Sequence, residues 1–289
     1  MSKPILKMTN IVKNFAGVRA LRGVDFDLHP GEVHAILGEN GAGKSTLIKV
    51  ITGVHQPNDG DIYLEEQQVH FGNPLESRQH GIAAIYQEPS LFPDLDIAEN
   101  IFVGRQPRGV GRRVAWGRMY QGATELLDSL GVNLSPKTKA RDLSVAQQQM
   151  VEIARALSVN AKILIMDEPT SSLTLAEVDD LFRITRRLRD GGTAIVFISH
   201  RLEDLFELAD RVTVLRDGAY VGTRAMAGVT TEELIQMMVG RTLSDLFPKQ
   251  AVEAGEVALK VAGLTRPGVF ADVSFELRKG EILGLAGLV

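Results

Sequence analysis

The chain switches between two hydrophobic periods. Residues 4–28 run mainly in steps of two, most clearly in Val24-Asp25-Phe26-Asp27-Leu28, which predicts two antiparallel half-buried strands around a turn at residues 14–17. Pro30-Gly31 then turns the chain into Val33-His34-Ala35-Ile36-Leu37, an apolar run of strand length. A helical pattern comes next over residues 46–51, then a short hairpin strand over 61–64 and a buried strand over 81–87. The period turns helical over 91–103, 119–130 and 144–158, with a Gly- and Arg-rich loop or hairpin at 104–117. After this come a strand at 161–166, a helix at 175–190 stopped by Gly191-Gly192, a strand at 193–198 and a helix at 201–209. A hairpin of 211–215 with 220–223 turns at Asp217-Gly218, and a helix at 230–239 closes the series. Strands alternating with helices predict an α/β fold, a mostly parallel sheet covered on both faces, with a helical subdomain at about 89–160 inserted into it.

Residues 243–256 contain Pro248 and Gly255 and read as a linker. The segment beyond this linker repeats the start of the chain. Leu6-Lys7 matches Leu259-Lys260, and Val24, Phe26 and Leu28 match Val273, Phe275 and Leu277. Gly31-Glu32 matches Gly280-Glu281, and Gly38 matches Gly287. The expected organisation is one complete module over 1–242 and the first strands of a second over 257–289, the chain stopping where a second phosphate loop should begin.

Composition narrows this picture. With 289 residues and 44% hydrophobic content the chain is globular, of one large or two smaller domains. It has no cysteine, which excludes disulfides, Cys-ligated metal and a thiol nucleophile. A net charge of −4 argues against a nucleic-acid surface. The longest apolar runs, 163–166 and 282–289, are too short to span a bilayer, so any membrane role goes through a partner.

The candidate chemistry centres on Gly38-Glu39-Asn40-Gly41-Ala42-Gly43-Lys44-Ser45-Thr46, which fits the phosphate-loop pattern G-x-x-x-x-G-K-[ST]. The glycines let backbone N–H groups approach phosphate oxygens, Lys44 supplies a point charge to them, and Ser45 offers a hydroxyl to Mg²⁺. A strand enters the loop and a helix leaves it, so the helix N-terminus faces the anion. The plainer alternative is a Gly-rich turn that happens to carry a lysine.

Three strand ends add to this site. Ile163-Leu164-Ile165-Met166 ends in Asp167 and Glu168; Asp167 suits Mg²⁺ and Glu168 the attacking water. His200 ends the next strand, where it could reach a γ-phosphate; the remaining histidines read as surface or structural. Gln87 ends the strand of residues 82–86, where its amide could bridge Mg²⁺ and water. Ser144 suits the N-cap of its helix.

Together these residues resemble the ATP-binding cassette (ABC) ATPases. The phosphate loop, Gln87, a signature-like Leu143-Ser144-Val145-Ala146-Gln147, Asp167-Glu168, Ser171-Ser172-Leu173-Thr174 and His200 occur in that family's order, over residues 4 to about 240. The resemblance implies a P-loop NTPase nucleotide-binding domain with a RecA-like core, an antiparallel β subdomain and an inserted helical subdomain. It implies that Phe15, 29 residues before Lys44, stacks on adenine and that Glu168 is the catalytic carboxylate. Two features depart from the family: Val145 and Ala146 replace the signature glycines, and Thr174 stands where the D-loop ends in Asp. Since cassettes pair head to tail, an altered signature bears on the partner's site rather than on that at Lys44.

These departures, the segments 86–93 and 143–156, and the start of a repeat are similar to the double-cassette ATPases of bacterial monosaccharide importers (ribose, galactose, xylose, arabinose). That resemblance implies a Mg²⁺-dependent ATPase, cytoplasmic and peripheral on the inner face of the cell membrane. Its partners would be a second cassette, an integral membrane permease and, indirectly, a sugar-binding protein, with no nucleic acid. A truncated ATP-binding module with little hydrolysis of its own, and a non-transport ABC ATPase, are the alternatives.

Overall fold

A computed structural model describes residues 3–86, 90–109, 111, 113–240 and 255–286. The chain divides into two compact units, Met1–Thr242 and Leu243–Val289.

In the first unit, β1 (Leu6–Phe15) and β2 (Val18–Leu28) pair antiparallel, with Leu6 opposite Leu28 and Met8 opposite Phe26. The period-two pattern turns Leu6, Met8, Leu21, Val24 and Leu28 inward, where all are buried. After β3 (Val33–Leu37) and α1 (Lys44–Ile51), β4 (Asp59–Leu64) and β5 (Gln67–Val69) complete an antiparallel sheet of order β2-β1-β4-β5.

A short helix α2 (Pro74–Gln79) comes next; no hydrophobic period announces it, only Asn73 as N-cap and Pro74 in the first turn. Then come β6 (Ile82–Ile85), α3 (Ile97–Ile101), α4 (Trp116–Leu130), α5 (Val145–Leu157), β7 (Ile163–Asp167), α6 (Leu175–Asp190), β8 (Ala194–Ile198) and α7 (Leu202–Leu208). Strands β9 (Arg211–Arg216) and β10 (Ala219–Ala225) and helix α8 (Thr231–Val239) end the unit.

The larger sheet has the order β10-β9-β3-β8-β7-β6, parallel except for β10. Its alternating side chains split the interior into two cores. Val33, Ala35, Leu37, Leu164, Met166 and Phe197 meet the helices α3 to α8, while Ile36, Ile165, Val196 and Ile198 meet α1 and the antiparallel sheet. Covered on both faces, β3 is buried at all five positions, and the loop it feeds opens at the carboxyl edge of the sheet, the edge where open α/β sheets bind ligands.

The expected helix over 91–103 is much shorter. Asp96 caps α3 through a box with Glu99, which starts the helix late. Upstream, buried Asn100 holds the chain in an irregular path: its Oδ1 accepts from Phe92 N–H at 2.7 Å, and its Nδ2 donates to the carbonyls of Phe92, Leu95 and Asp96. The expected strand over 81–87 is assigned over Ile82–Ile85, with Gln87 outside the described residues. In the loop over 104–117, Arg108 and Val114 form an isolated antiparallel bridge. Among the described residues no helix is long and apolar enough to cross a membrane.

The second unit holds β11 (Val257–Arg266) and β12 (Phe270–Arg278), an antiparallel pair. Its register repeats that of β1 and β2. Leu259–Leu277, Lys260–Glu276, Val261–Phe275 and Leu264–Val273 stand where Leu6–Leu28, Lys7–Asp27, Met8–Phe26 and Ile11–Val24 stand. The same irregularity recurs: Asn10 (φ 52°) donates its N–H to Asp25 Oδ1 at 2.8 Å, and Gly263 (φ 62°) donates its N–H to Ser274 Oγ at 2.8 Å. Gly287, the expected counterpart of Gly38, lies outside the described residues.

Candidate functional site

The loop between β3 and α1 is built by close approach. A Cβ on Gly38 would lie 2.4 Å from Leu215 O and 2.8 Å from Ala42 Cβ, and Gly43 at φ 104° leaves no room beside Ala20 O. The first intrahelical bond of α1 runs from Leu47 N–H to Gly43 O at 2.9 Å, so the N–H groups of Lys44, Ser45 and Thr46 lack intrahelical acceptors. A Cβ added at Gly41, by contrast, meets nothing within 4 Å. Lys44 Nζ donates to Gly38 O at 2.7 Å and to Glu39 O at 3.1 Å, folding the side chain back over the loop. Buried Ala42 accepts from Gly218 N–H at 3.1 Å, while Glu39 and Asn40 are exposed.

A cavity of about 370 Å³ opens over this loop. Asn40, Gly41, Gly43, Lys44, Ser45 and Thr46 line it, and across it stand Asp167 and Glu168 from the end of β7. Three expected groups, the lysine, the hydroxyl and the acid pair, therefore share one hollow. Burial pulls the Lys44 ammonium below the usual lysine value, against the opposing charges of Glu168 and Asp167. Burial, and then the neighbouring charge of Glu168, push the Asp167 carboxyl above the usual carboxylate range, and Lys44 and Lys49 offset part of this. An electrostatically strained acid beside a free amide cradle suits a Mg²⁺–polyphosphate ligand, which would relieve both groups.

Glu168 has left-handed backbone (φ 51°), rare for a residue with a Cβ. Its N–H donates to Ile198 O at 2.9 Å, and its carbonyl accepts from Ser171 N–H at 3.3 Å. This tie joins the ends of β7 and β8 and brings His200 Nδ1 to 3.4 Å from Glu168 Oε2.

Other expected residues sit apart. Exposed Phe15, at the end of β1, packs its ring edge-on against His55 with the centroids 5.0 Å apart. It is absent from the cavity wall, but pairs in register with Val18, which lines it. Ser144 caps α5 in a reciprocal box with Gln147, so the replaced glycines leave the helix start intact. Val145 is exposed and Ala146 buried. Ser144, Ala146 and Gln147 line a separate hollow with Glu177 and Arg183, not the cavity at Lys44. Thr174, the D-loop departure, gives both its N–H and its hydroxyl to Glu177 Oε2, each at 2.9 Å, and so serves as the cap of α6.

One wall of the cavity has no local sequence signal. Val18, Arg19, Ala20 and Arg22 from β2 line it, with Asp217 and Gly218 from the turn between β9 and β10. The turn itself is legible in the sequence, and Asp217 and Gly218 both take positive φ. Its approach to the loop depends on Arg22 N–H donating to Gly218 O at 2.7 Å, a pairing between distant segments.

The sequence pattern of the ABC transporter family matches residues 21–171. A ribose import ATP-binding protein of Streptomyces avermitilis is 54% identical over 286 residues, which cover 99% of this chain and 57% of that protein. The chain thus spans little more than half the length of that relative. A solved ATP-binding cassette of an ABC transporter in its ADP conformation superposes with a TM-score of 0.71 at 28% identity, covering 83% of this chain and 100% of that one. A dimeric cassette in a post-hydrolysis state bound to ADP and Pi gives a TM-score of 0.66 at 25% identity, covering 78% and 100%. The matched residues include the loop at Gly38–Thr46 and the acids Asp167 and Glu168 that face it across the cavity, and the chain belongs to the ABC transporter family.

Proposed function

We propose that this chain is an ATP-binding and ATP-hydrolysing subunit that powers import of a monosaccharide through a membrane permease. The observation that carries the reading is the single cavity holding Lys44, Ser45, Asp167 and Glu168, with His200 3.4 Å from Glu168. The likeness to a ribose import ATP-binding protein supports a pentose or related sugar as cargo.

In this reading the N–H groups of the loop and the Lys44 ammonium bind the β- and γ-phosphates. Ser45 and Asp167 would hold Mg²⁺, with Gln87 as a further ligand; the ion would supply neutralisation of phosphate charge. Glu168 accepts the proton of the attacking water, and His200 donates to the γ-phosphate side. Phe15 and Val18 take the base end. Ser144, Val145, Ala146 and Gln147, none of which lines this cavity, serve the site of a paired cassette, in keeping with the dimeric state of a related cassette. The subunit works at the inner, cytoplasmic face of the membrane, with the helical subdomain against the permease. Residues 257–286, with their repeated register, are the first strands of a second cassette, joined through 243–256.

The separate location of the signature residues favours one second reading, a chain that binds ATP but needs a partner cassette to turn it over. Steady-state ATPase rate against protein concentration, with Mg²⁺, for the chain and its Lys44→Ala variant decides between them. A Lys44-dependent rate rising faster than linearly supports hydrolysis by paired cassettes. ATP binding with no Lys44-dependent rate at any concentration leaves the binding module.

A further inference from the structure

Asp204 stands in the first turn of α7, only 2% exposed. One of its oxygens, Oδ2, accepts two hydroxyl bonds, from Thr170 Oγ1 at 2.6 Å and from Ser199 Oγ at 2.9 Å. Both donors are buried, at 2% and 1% exposure. They come from different loops. Thr170 lies two residues beyond Glu168 at the end of β7, and Ser199 immediately precedes His200 at the end of β8. Ser199 Oγ also accepts from Arg201 N–H at 3.0 Å, which turns the chain at His200, and Arg201 Nε lies 3.7 Å from Asp204 Oδ1.

We propose that Asp204 is a positioning residue that fixes the loop carrying Glu168 to the loop carrying His200, and so sets the geometry at the γ-phosphate end of the site. The side chain of His200 is 62% exposed, so packing does not hold it opposite Glu168. Its place is set by its backbone, and Ser199 anchors that backbone to Asp204. Glu168 sits in an unfavourable left-handed conformation that persists only if its flanks are held, and Thr170 anchors the downstream flank to the same oxygen. One buried acceptor oxygen shared by two hydroxyls makes the two anchors interdependent. The inference rests on the hydrolytic reading above.

The test compares Asp204→Ala, Asp204→Asn, Thr170→Val and Ser199→Ala in the full chain, each also in a His200→Ala background. Nucleotide affinity is measured with a fluorescent ATP analogue. Turnover is measured at saturating Mg²⁺-ATP, and amide exchange is followed at residues 168–171 and 199–201. The expected result for Asp204→Ala is a kcat lower by about 10- to 100-fold with affinity within about twofold, since misplacement near 1 Å costs that much. Exchange should quicken in both loops together. Thr170→Val and Ser199→Ala should each show a smaller fall, and Asp204→Asn, which keeps an acceptor oxygen, should recover most of the rate. In the His200→Ala background the further loss from Asp204→Ala should be smaller than in the native chain, the part that remains reporting the loop that carries Glu168.

Equal losses of affinity and kcat, or a full additional loss without His200, would make Asp204 merely structural and overturn the proposal. So would faster exchange in one loop only, a result that needs no turnover to read. Absence of Lys44-dependent hydrolysis in the unaltered chain would instead overturn the hydrolytic reading, and the exchange pattern would still accept or reject the coupling of the loops.

Discussion

Lys44 Nζ donates to the carbonyl oxygen of Gly38 at 2.7 Å, so the loop's own lysine spans the loop it belongs to. Burial lowers this ammonium from the ordinary value of 10.5, with Glu168 and Asp167 pulling the other way. A lysine lowered by folding binds fewer protons folded than unfolded between the two values, so stability rises with pH across that window. Nucleotide needs the charged form, so its affinity falls across the same window. Titration of a fluorescent ATP analogue should show affinity declining at a pH below 10.5 in the native chain. Lys44→Ala should bind about 10- to 100-fold more weakly and lose that alkaline step.

Asp167 is held above the usual carboxylate range, first by burial and then by Glu168. With a folded value raised above the unfolded one, its ionisation costs stability as pH rises through that folded value. Asp167→Asn should therefore raise the thermal midpoint of the nucleotide-free chain at pH 7, by on the order of 2 °C, while removing most Mg²⁺-dependent turnover. A lower midpoint in differential scanning calorimetry would contradict the assignment of a buried, strained charge.

Glu168 and His200 face one another at 3.4 Å on loops tied by a backbone bond. Glu168→Gln keeps the size and removes the base. It should cut kcat by about 10²- to 10⁴-fold with nucleotide affinity retained. Turnover equal to that of the native chain, at matched Mg²⁺ and protein concentration, would remove Glu168 from the role of general base.

Gly38 and Gly41 belong to one loop and should respond differently. A methyl on Gly38 meets Leu215 O at 2.4 Å, so Gly38→Ala should destabilise the fold by about 1–3 kcal/mol. Gly41 has open space but φ 85°, so Gly41→Ala carries only a backbone penalty of about 1–2 kcal/mol. Because Gly41 lines the cavity and a methyl there meets no other atom within 4 Å, the change should weaken nucleotide binding more than it weakens the fold. Urea denaturation and nucleotide titration on both variants separate the two effects.

Strands β1–β2 and β11–β12 share a register, and among the described residues β4 and the core cover the first pair. In the second, Leu259, Leu264 and Val273 are exposed. A two-stranded ribbon is marginal in water. Amide exchange in residues 257–278 should be within about tenfold of an unprotected chain, whereas the buried part of residues 6–28 should approach the global stability limit. Comparable protection in the two hairpins would show that the second is covered in solution.

By itself the sequence determined the local elements and the chemistry of the loop. Period-two and helical patterns, Gly-Lys-Ser spacing and turn residues such as Asp217-Gly218 act within a few residues, and the structure places strands and helices close to where those patterns predict. They mislead over residues 91–96, where the Asp96 cap and the Asn100 side-chain bonds override an apolar helical period, and they pass over α2, which is too short to show one. What only the tertiary structure decided was which elements meet. The order β9-β3-β8-β7 sets Asp167 and Glu168 across from Lys44 and brings His200 to Glu168. The bond from Arg22 N–H to Gly218 O joins the two sheets at the cavity wall, and Ser144 and Gln147 stand at another hollow. The physical reason is that these contacts depend on hydrogen-bonded pairing and burial between segments far apart in the chain, and a short-range pattern carries no term for a neighbour that arrives only when the sheet closes.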